Sequence, residues 1–177
     1  MPSFLDDIDN IPVVHGTDPL PTGWYHVRVA SVEGRETQSG LPSLRISLNV
    51  VNGPIDTVGR TAFVSLTLGA RPTKEVDGYQ VERSPEEYER AARIQKIRFK
   101  TIISALGVPI QKPLNDTAQA VIDACNLPAW EGREMIARIT LRDDDRGGTN
   151  DLRDAYPIND PKRGVDWYNN TYLPKVS

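Results

Sequence analysis

Between Gly23 and Leu68 hydrophobic and polar residues alternate with a period of two. Tyr25, Val27 and Val29 alternate with Trp24, His26 and Arg28; Leu44, Ile46, Leu48 and Val50 alternate with Arg45, Ser47 and Asn49; Ala62, Val64, Leu66 and Leu68 alternate with Thr61, Phe63, Ser65 and Thr67. Successive side chains of a strand point to opposite faces, so each run reads as a strand buried on one side. The polar run Gly34 to Gly40 reads as a hairpin loop, and Asn52-Gly53-Pro54 carries strong turn chemistry. Three strands joined this way form an antiparallel meander.

At Ser84 the period changes. Ser84-Pro85-Glu86-Glu87 combines an N-cap, a proline suited to the first turn and the glutamate of a capping box. Tyr88, Ala92, Phe99, Ile102, Ile103 and Leu106 then share one helical face, and Gly107 followed by Pro109 ends the helix. Pro113 to Asn126 reads as a second, shorter helix capped by Asn115 or Asp116, with Ala118, Val121, Ile122 and Cys125 as its apolar side. Met135, Ala137, Ile139 and Leu141 mark a further strand, and Asp143 to Gly148 a loop. From Asp151 to Ser177 no period emerges, so the end reads as an irregular tail. The first 22 residues hold Pro2, Pro12, Pro19 and Pro21 and read as an arm whose apolar residues dock on the body or on a partner. The organisation is thus an arm over 1–22, a core domain over 23–142 with a helical insertion at about 84–126, and an acidic loop with a tail over 143–177. The class is mainly β with an α insertion.

A chain of 177 residues with 38% hydrophobic and 25% charged residues supports one globular domain with tails, not two cores. Fourteen prolines favour a loop-rich or β-rich chain over a helical bundle. The net charge of −3 excludes an all-over basic coat. Charge is unevenly placed, however. Residues 1–22 hold four acids and no Lys or Arg, whereas residues 23–100 hold 12 cations against 9 acids. The meander and its helix therefore form a positive centre, which permits a local basic groove. Cys125 is the lone cysteine and the N-terminus lacks signal-peptide character, so a reducing cytoplasm is the expected compartment. No apolar run approaches the ~20 residues that cross a bilayer, so no membrane role is expected.

The inventory for catalysis is thin. His15 and His26 with one Cys offer no zinc spacing, and no phosphate loop, nucleophile elbow or dinucleotide fingerprint occurs. Asp143-Asp144-Asp145 reads as a solvated acidic loop before it reads as a Mg²⁺ site, and Cys125 as a core residue. No enzyme, cofactor or metal is expected.

The informative constellation is the outward face of the meander. If the alternate residues fill a core, the pleat puts Trp24, His26, Arg28, Arg45, Ser47, Asn49 and Phe63 on one surface. Rings that stack on bases beside cations that follow phosphates are what a single-strand platform requires. The same residues would also suit packing beneath the arm, a loop or the helix. Arg90, Arg93, Lys96 and Lys100 form a cationic helix stripe, which is a solvated face unless it shares that surface.

Leu20-Pro21-Thr22-Gly23-Trp24-Tyr25-His26-Val27, then Thr37, Ser39 and Gly40, then Val51-Asn52-Gly53-Pro54 with Gly59-Arg60, resemble a family of bacteriophage proteins. That family was long catalogued as a domain of unknown function, and its members are regarded as single-stranded-DNA-binding proteins. Ala105-Leu106-Gly107-Val108-Pro109, Trp130-Glu131-Gly132-Arg133 and Asn150 extend the likeness over roughly 20–150. The resemblance implies an OB-like small antiparallel β-barrel with an inserted helix, acting in phage DNA replication or recombination in the infected host's cytoplasm. Small barrels of that kind bind oligonucleotides on their central strands. The end, Tyr172 to Ser177, departs from the acidic tip through which many such proteins recruit partners.

The resulting expectation is a non-catalytic protein that binds single-stranded DNA. Trp24 and Phe63 stack bases with His26 as a further contact, and Arg28, Arg45, Arg60, Arg90, Arg93, Lys96 and Lys100 meet phosphates. Phage replication or recombination proteins are its expected partners, and the terminal arms offer a route to a homo-oligomer. The competing expectation is a protein-interaction module that docks a phage or host protein through its aromatic surface, its arm and the tail aromatics Trp167, Tyr168 and Tyr172.

Overall fold

The alternation over the first third of the chain becomes three long strands in the computed structural model, which describes residues 5–6, 8–11, 15–16, 18–143 and 148–176. The strands are β1 (Gly23–Glu36), β2 (Pro42–Asn52) and β3 (Thr61–Thr67). A small hairpin follows, β4 (Thr73–Val76) with β5 (Tyr79–Glu82), then helices α1 (Pro85–Leu106) and α2 (Ala118–Ala124), then strands β6 (Glu134–Arg142) and β7 (Thr149–Pro157). The main sheet has five strands in the order β3-β2-β1-β6-β7, and all neighbours are antiparallel.

Its inner face is the one the period-two pattern picks out. Tyr25, Val27, Val29, Leu44, Ile46, Leu48, Ala62, Val64 and Leu66 are all buried in one cluster. Strand β1 does two jobs. Its first residues pair with β6, from Gly23 opposite Ile139 to Arg28 opposite Glu134, while its length from His26 to Glu36 pairs with β2. Register shifts beside Val27 and between Val29 and Ser31 coil it, because an extra residue on one strand sharpens the local twist. The second shift also swaps the inner and outer positions, which turns Val32 toward the core.

The coiled sheet brings its two edges, β3 and β7, against each other without a hydrogen-bonded ladder between them. The sheet therefore does not close into a barrel. Helix α1 covers the seam, with Arg98 and Ile102 lining it beside Val64, Leu66 and Leu152. The helix begins with the expected capping box: Glu87 N donates to Ser84 Oγ at 3.2 Å, and Ser84 N donates back to Glu87 Oε1. It ends at Gly107 in the left-handed region, φ 70°. Only its last turns, from Ile102 to Leu106, are buried, and Tyr88, Ile94 and Ile97 stay exposed.

Two expectations are corrected and one element is added. The tail over 151–177 is ordered: its first part lies in β7, and Val165–Trp167, Tyr168–Tyr172 and Leu173–Val176 form one continuous helical segment with a π-type middle. Strand β7 shows no alternation because its register slips opposite Arg138 and Ile139, and it buries only Asn150 and Ala155 fully. The second helix is shorter than 113–126. Its cap is Thr117, whose hydroxyl accepts from Ala120 N at 3.3 Å, while Asn115 accepts from Thr117. The added element is the hairpin β4–β5, which has no counterpart among the sequence expectations. It turns at Asp77 and Gly78, with φ 51° and 83°.

The arm's last residues pack in cis. Leu20 is fully buried, and its backbone exchanges two hydrogen bonds with the Asn150 side chain at 2.8 and 2.9 Å. Asp144 and Asp145 of the acidic loop, and Phe4, Val13 and Val14 of the arm, lie outside the described residues. Among the described residues no group of three metal-ligating side chains occurs, and no helix is long and apolar enough to cross a membrane.

Candidate nucleic-acid interface

The outward face of the sheet divides into an open part and a covered part. In the open part, β2 and β3 place Ser47 opposite Phe63, Arg45 opposite Ser65 and Asn49 opposite Thr61. Phe63 keeps 37% of its surface exposed, and the Arg45 guanidinium lies 4.8 Å from its ring centre. Thr61 Oγ1 donates to Asn49 Oδ1 at 2.9 Å. Arg28 extends the patch onto β1, across from Asn49. An exposed ring under a planar cation, beside neutral hydrogen-bonding groups, presents two surfaces on which a base stacks.

Glu134 borders this patch. His26 Nε2 meets Glu134 Oε1 at 2.6 Å, and Arg28 lies 3.4 Å from the other oxygen. His26 is thus held by a carboxylate, whereas Arg28 remains exposed and reaches outward.

The covered part contains Trp24. The C-terminal helical segment lies over it, so that Trp24 packs 5.7 Å from Tyr156 and 5.7 Å from Trp167, the latter edge-on. Tyr168, fully buried, donates its hydroxyl to the backbone oxygens of Trp24 at 2.9 Å and Asn52 at 3.3 Å. Tyr172 stacks on Tyr168 at 5.5 Å, and its hydroxyl accepts from Trp24 N at 3.0 Å. Ile136, on the same outward side as Trp24 and Tyr156, is fully buried here. Burial pushes the Tyr168 phenol well above its ordinary value and, on the inner face, the Tyr25 phenol to about 12. Trp24 and Phe63 share the outward face but not one open surface.

Arg60 is not a surface cation. It is 9% exposed, and its guanidinium donates to the backbone oxygens of Asp18 at 2.8 Å, Pro19 at 2.9 Å and Asp56 at 3.4 Å. It ties the arm to the end of β2 and cannot meet a phosphate from there. Arg90, Arg93, Lys96 and Lys100 are exposed along α1. Among the described residues no hydrogen bond, ion pair or ring contact joins these four to the Phe63–Arg45 patch. Cys125 is buried, and burial raises its thiol to about 11, which keeps it protonated and unreactive.

Two cations absent from the sequence reading, Arg71 and Arg83, line one hollow with Thr67 at the far end of β3. They flank the hairpin β4–β5, and without that hairpin in the reading nothing placed them together.

Residues 6–149 match the model of a family described as "Protein of unknown function (DUF669)". No curated protein matches the chain.

Proposed function

The chain belongs to the DUF669 family of proteins of unknown function, and from that premise we propose that it is a non-catalytic single-stranded-DNA-binding protein of phage replication or recombination. The strand would lie on the open outward face of β1, β2 and β3 in the infected cell's cytoplasm. The observation that carries the reading is the Arg45 guanidinium 4.8 Å over a Phe63 ring that is still open to solvent. A buried pair of this kind would be packing; an exposed one, bordered by Ser47, Asn49 and Arg28, suits base stacking with a phosphate-following cation. An OB-like relation supports it too, since a long coiled β1 shared between β2 and β6, and a helix at the seam of β3 and β7, are how a five-stranded Greek-key barrel is wound. The competing role as a protein-docking module has less support in the tail, because Tyr168 is buried and Trp167 and Tyr172, half-buried, pack on their own sheet.

The test is a titration of labelled oligo-dT and a matched duplex at low and moderate salt. The expected result is preference for the single strand, weakening with salt as counterions are released. Phe63→Ala should weaken oligo-dT binding by roughly 5- to 100-fold, the equivalent of ~1–3 kcal/mol for one stacked base. Equal or absent binding to both nucleic acids overturns the proposal.

A further inference from the structure

At the Thr67 end of β3 the outward face runs into a hollow of about 260 Å³ between the strand end, the base of the hairpin β4–β5 and α1. Its lining includes Thr67, Arg71, Arg83 and Gln95, and no carboxylate. A second, apolar hollow shares Gly69 and Gln95 with it but is lined by Leu68, Phe99 and Val121. Arg71 and Arg83 both line the first hollow and neither lines the second.

Arg83 is held at one end. Its backbone N donates to Pro72 O at 2.8 Å and its Nε donates to Thr73 O at 3.4 Å, while among the described residues its two terminal nitrogens make no hydrogen bond. Lys74, the neighbouring cation, is neutralised by an ion pair with Glu87. Among the described residues no ion pair involves Arg71 or Arg83. Two guanidiniums that share a hollow repel each other, and an anion between them reverses the sign of that term. Planar forks match the oxygens of a phosphate, with Thr67 and Gln95 as neutral hydrogen-bonding neighbours. The volume is ample, since a water's share of liquid volume is only about 30 Å³.

Position connects the hollow to the open face. Phe63, Ser65 and Thr67 stand on one outward row of β3, and four residues of strand span about 13 Å. We propose that Arg71 and Arg83 form a phosphate-binding site, and that it takes a backbone phosphate of the strand stacked on Phe63. The second half rests on the function proposed above. It makes the strand run along β3 toward the hairpin and adds two cations to those of the Phe63 patch, Arg45 and Arg28.

The test uses the full chain and the double variant Arg71→Gln with Arg83→Gln, checked for an unchanged melting transition. Two probes are used, labelled oligo-dT across a salt series and inorganic phosphate followed through the arginine side-chain N–H resonances. If the proposal holds, the double variant binds oligo-dT about tenfold more weakly at low salt, and its log–log salt slope falls by about 0.7, the worth of one phosphate contact on a single strand. Inorganic phosphate shifts the Arg71 and Arg83 resonances together and saturably. If the full chain binds oligo-dT and the double variant matches it in affinity and slope, the DNA site at the hollow is overturned while the Phe63 face stands. If the full chain binds no oligo-dT, the proposed function fails and phosphate alone decides. A saturable shift of both resonances then upholds a site for free phosphate, and no shift overturns the site as well.

Discussion

Trp24 and Phe63 start from the same rule and end in different places. Both are aromatic residues on outward positions of neighbouring parts of one sheet, and the pleat treats them alike. Trp24 lies under Trp167, Tyr168 and Tyr172, with its backbone N–H and oxygen both bonded to tyrosine hydroxyls. Among the described residues Phe63 carries only Arg45 over its ring. An outward aromatic is therefore a binding surface only where nothing later in the chain returns to cover it. The covered half packs its rings together; the open half leaves one exposed to solvent. The sharpest way to break this division is to remove the covering residue. Tyr168→Ala should lower unfolding free energy by about 3–5 kcal/mol, as expected for loss of a buried aromatic, whereas Phe63→Ala, which loses a half-exposed ring and its Arg45 contact, should cost only about 1 kcal/mol. Urea denaturation of the two variants measures this, and equal losses would erase the distinction.

Alkaline pH separates the buried tyrosines from the open face in another way. The Tyr25 phenol is pushed to about 12 by burial, and that of Tyr168 is also raised by burial. In the unfolded chain a tyrosine titrates near 10. Above that pH the folded state binds more protons than the unfolded state, so stability is whole below about pH 10 and falls as pH rises toward about 12. Each such tyrosine contributes a slope of up to ~1.4 kcal/mol per pH unit. Urea midpoints at about pH 9 and about pH 11 should differ in that direction, and Tyr168→Phe, which keeps the ring, should make the fall shallower. A midpoint that rose with pH would contradict the burial of both phenols.

The two halves also differ in how far the sequence reveals them. The meander is legible because β1, β2 and β3 bury one face each, and no polar residue interrupts the core row at Ile46, Leu48 or Val64. The start of α1 is legible because its cap is local. The cover over Trp24 is not. Trp167 and Tyr172 meet across five residues, 5.4 Å apart, through a π-type turn that a 3.6-residue period does not register. Pro174 in the following turn adds a signal against a helix. Arg60 escapes the sequence reading for a related reason: its partners, the backbone oxygens of Asp18 and Pro19, lie about 40 residues earlier and carry no side-chain signature. The hairpin does leave a mark, Asp77-Gly78, the preferred pair for a tight hairpin turn. Its strand residues are mostly exposed, so no alternation draws attention to it.

The smallest expected effect compares two arginines to which the sequence assigns one role. Arg60 donates to three backbone oxygens near the arm, so Arg60→Ala leaves those acceptors unpaired and should cost about 1–3 kcal/mol in stability. Its salt slope for oligo-dT should stay that of the parent chain. Arg45 is exposed and its ring contact is worth only ~0.5–1 kcal/mol, so Arg45→Ala should melt close to the parent. If Arg45 follows a phosphate, however, the log–log salt slope should fall by about 0.7, one contact's worth for a single strand. Urea midpoints and salt-dependent anisotropy, read on both variants, cross over under this assignment: one variant changes in each measurement. The reverse crossing would move the strand off the Phe63 face and onto the side of the sheet where the arm is tied down.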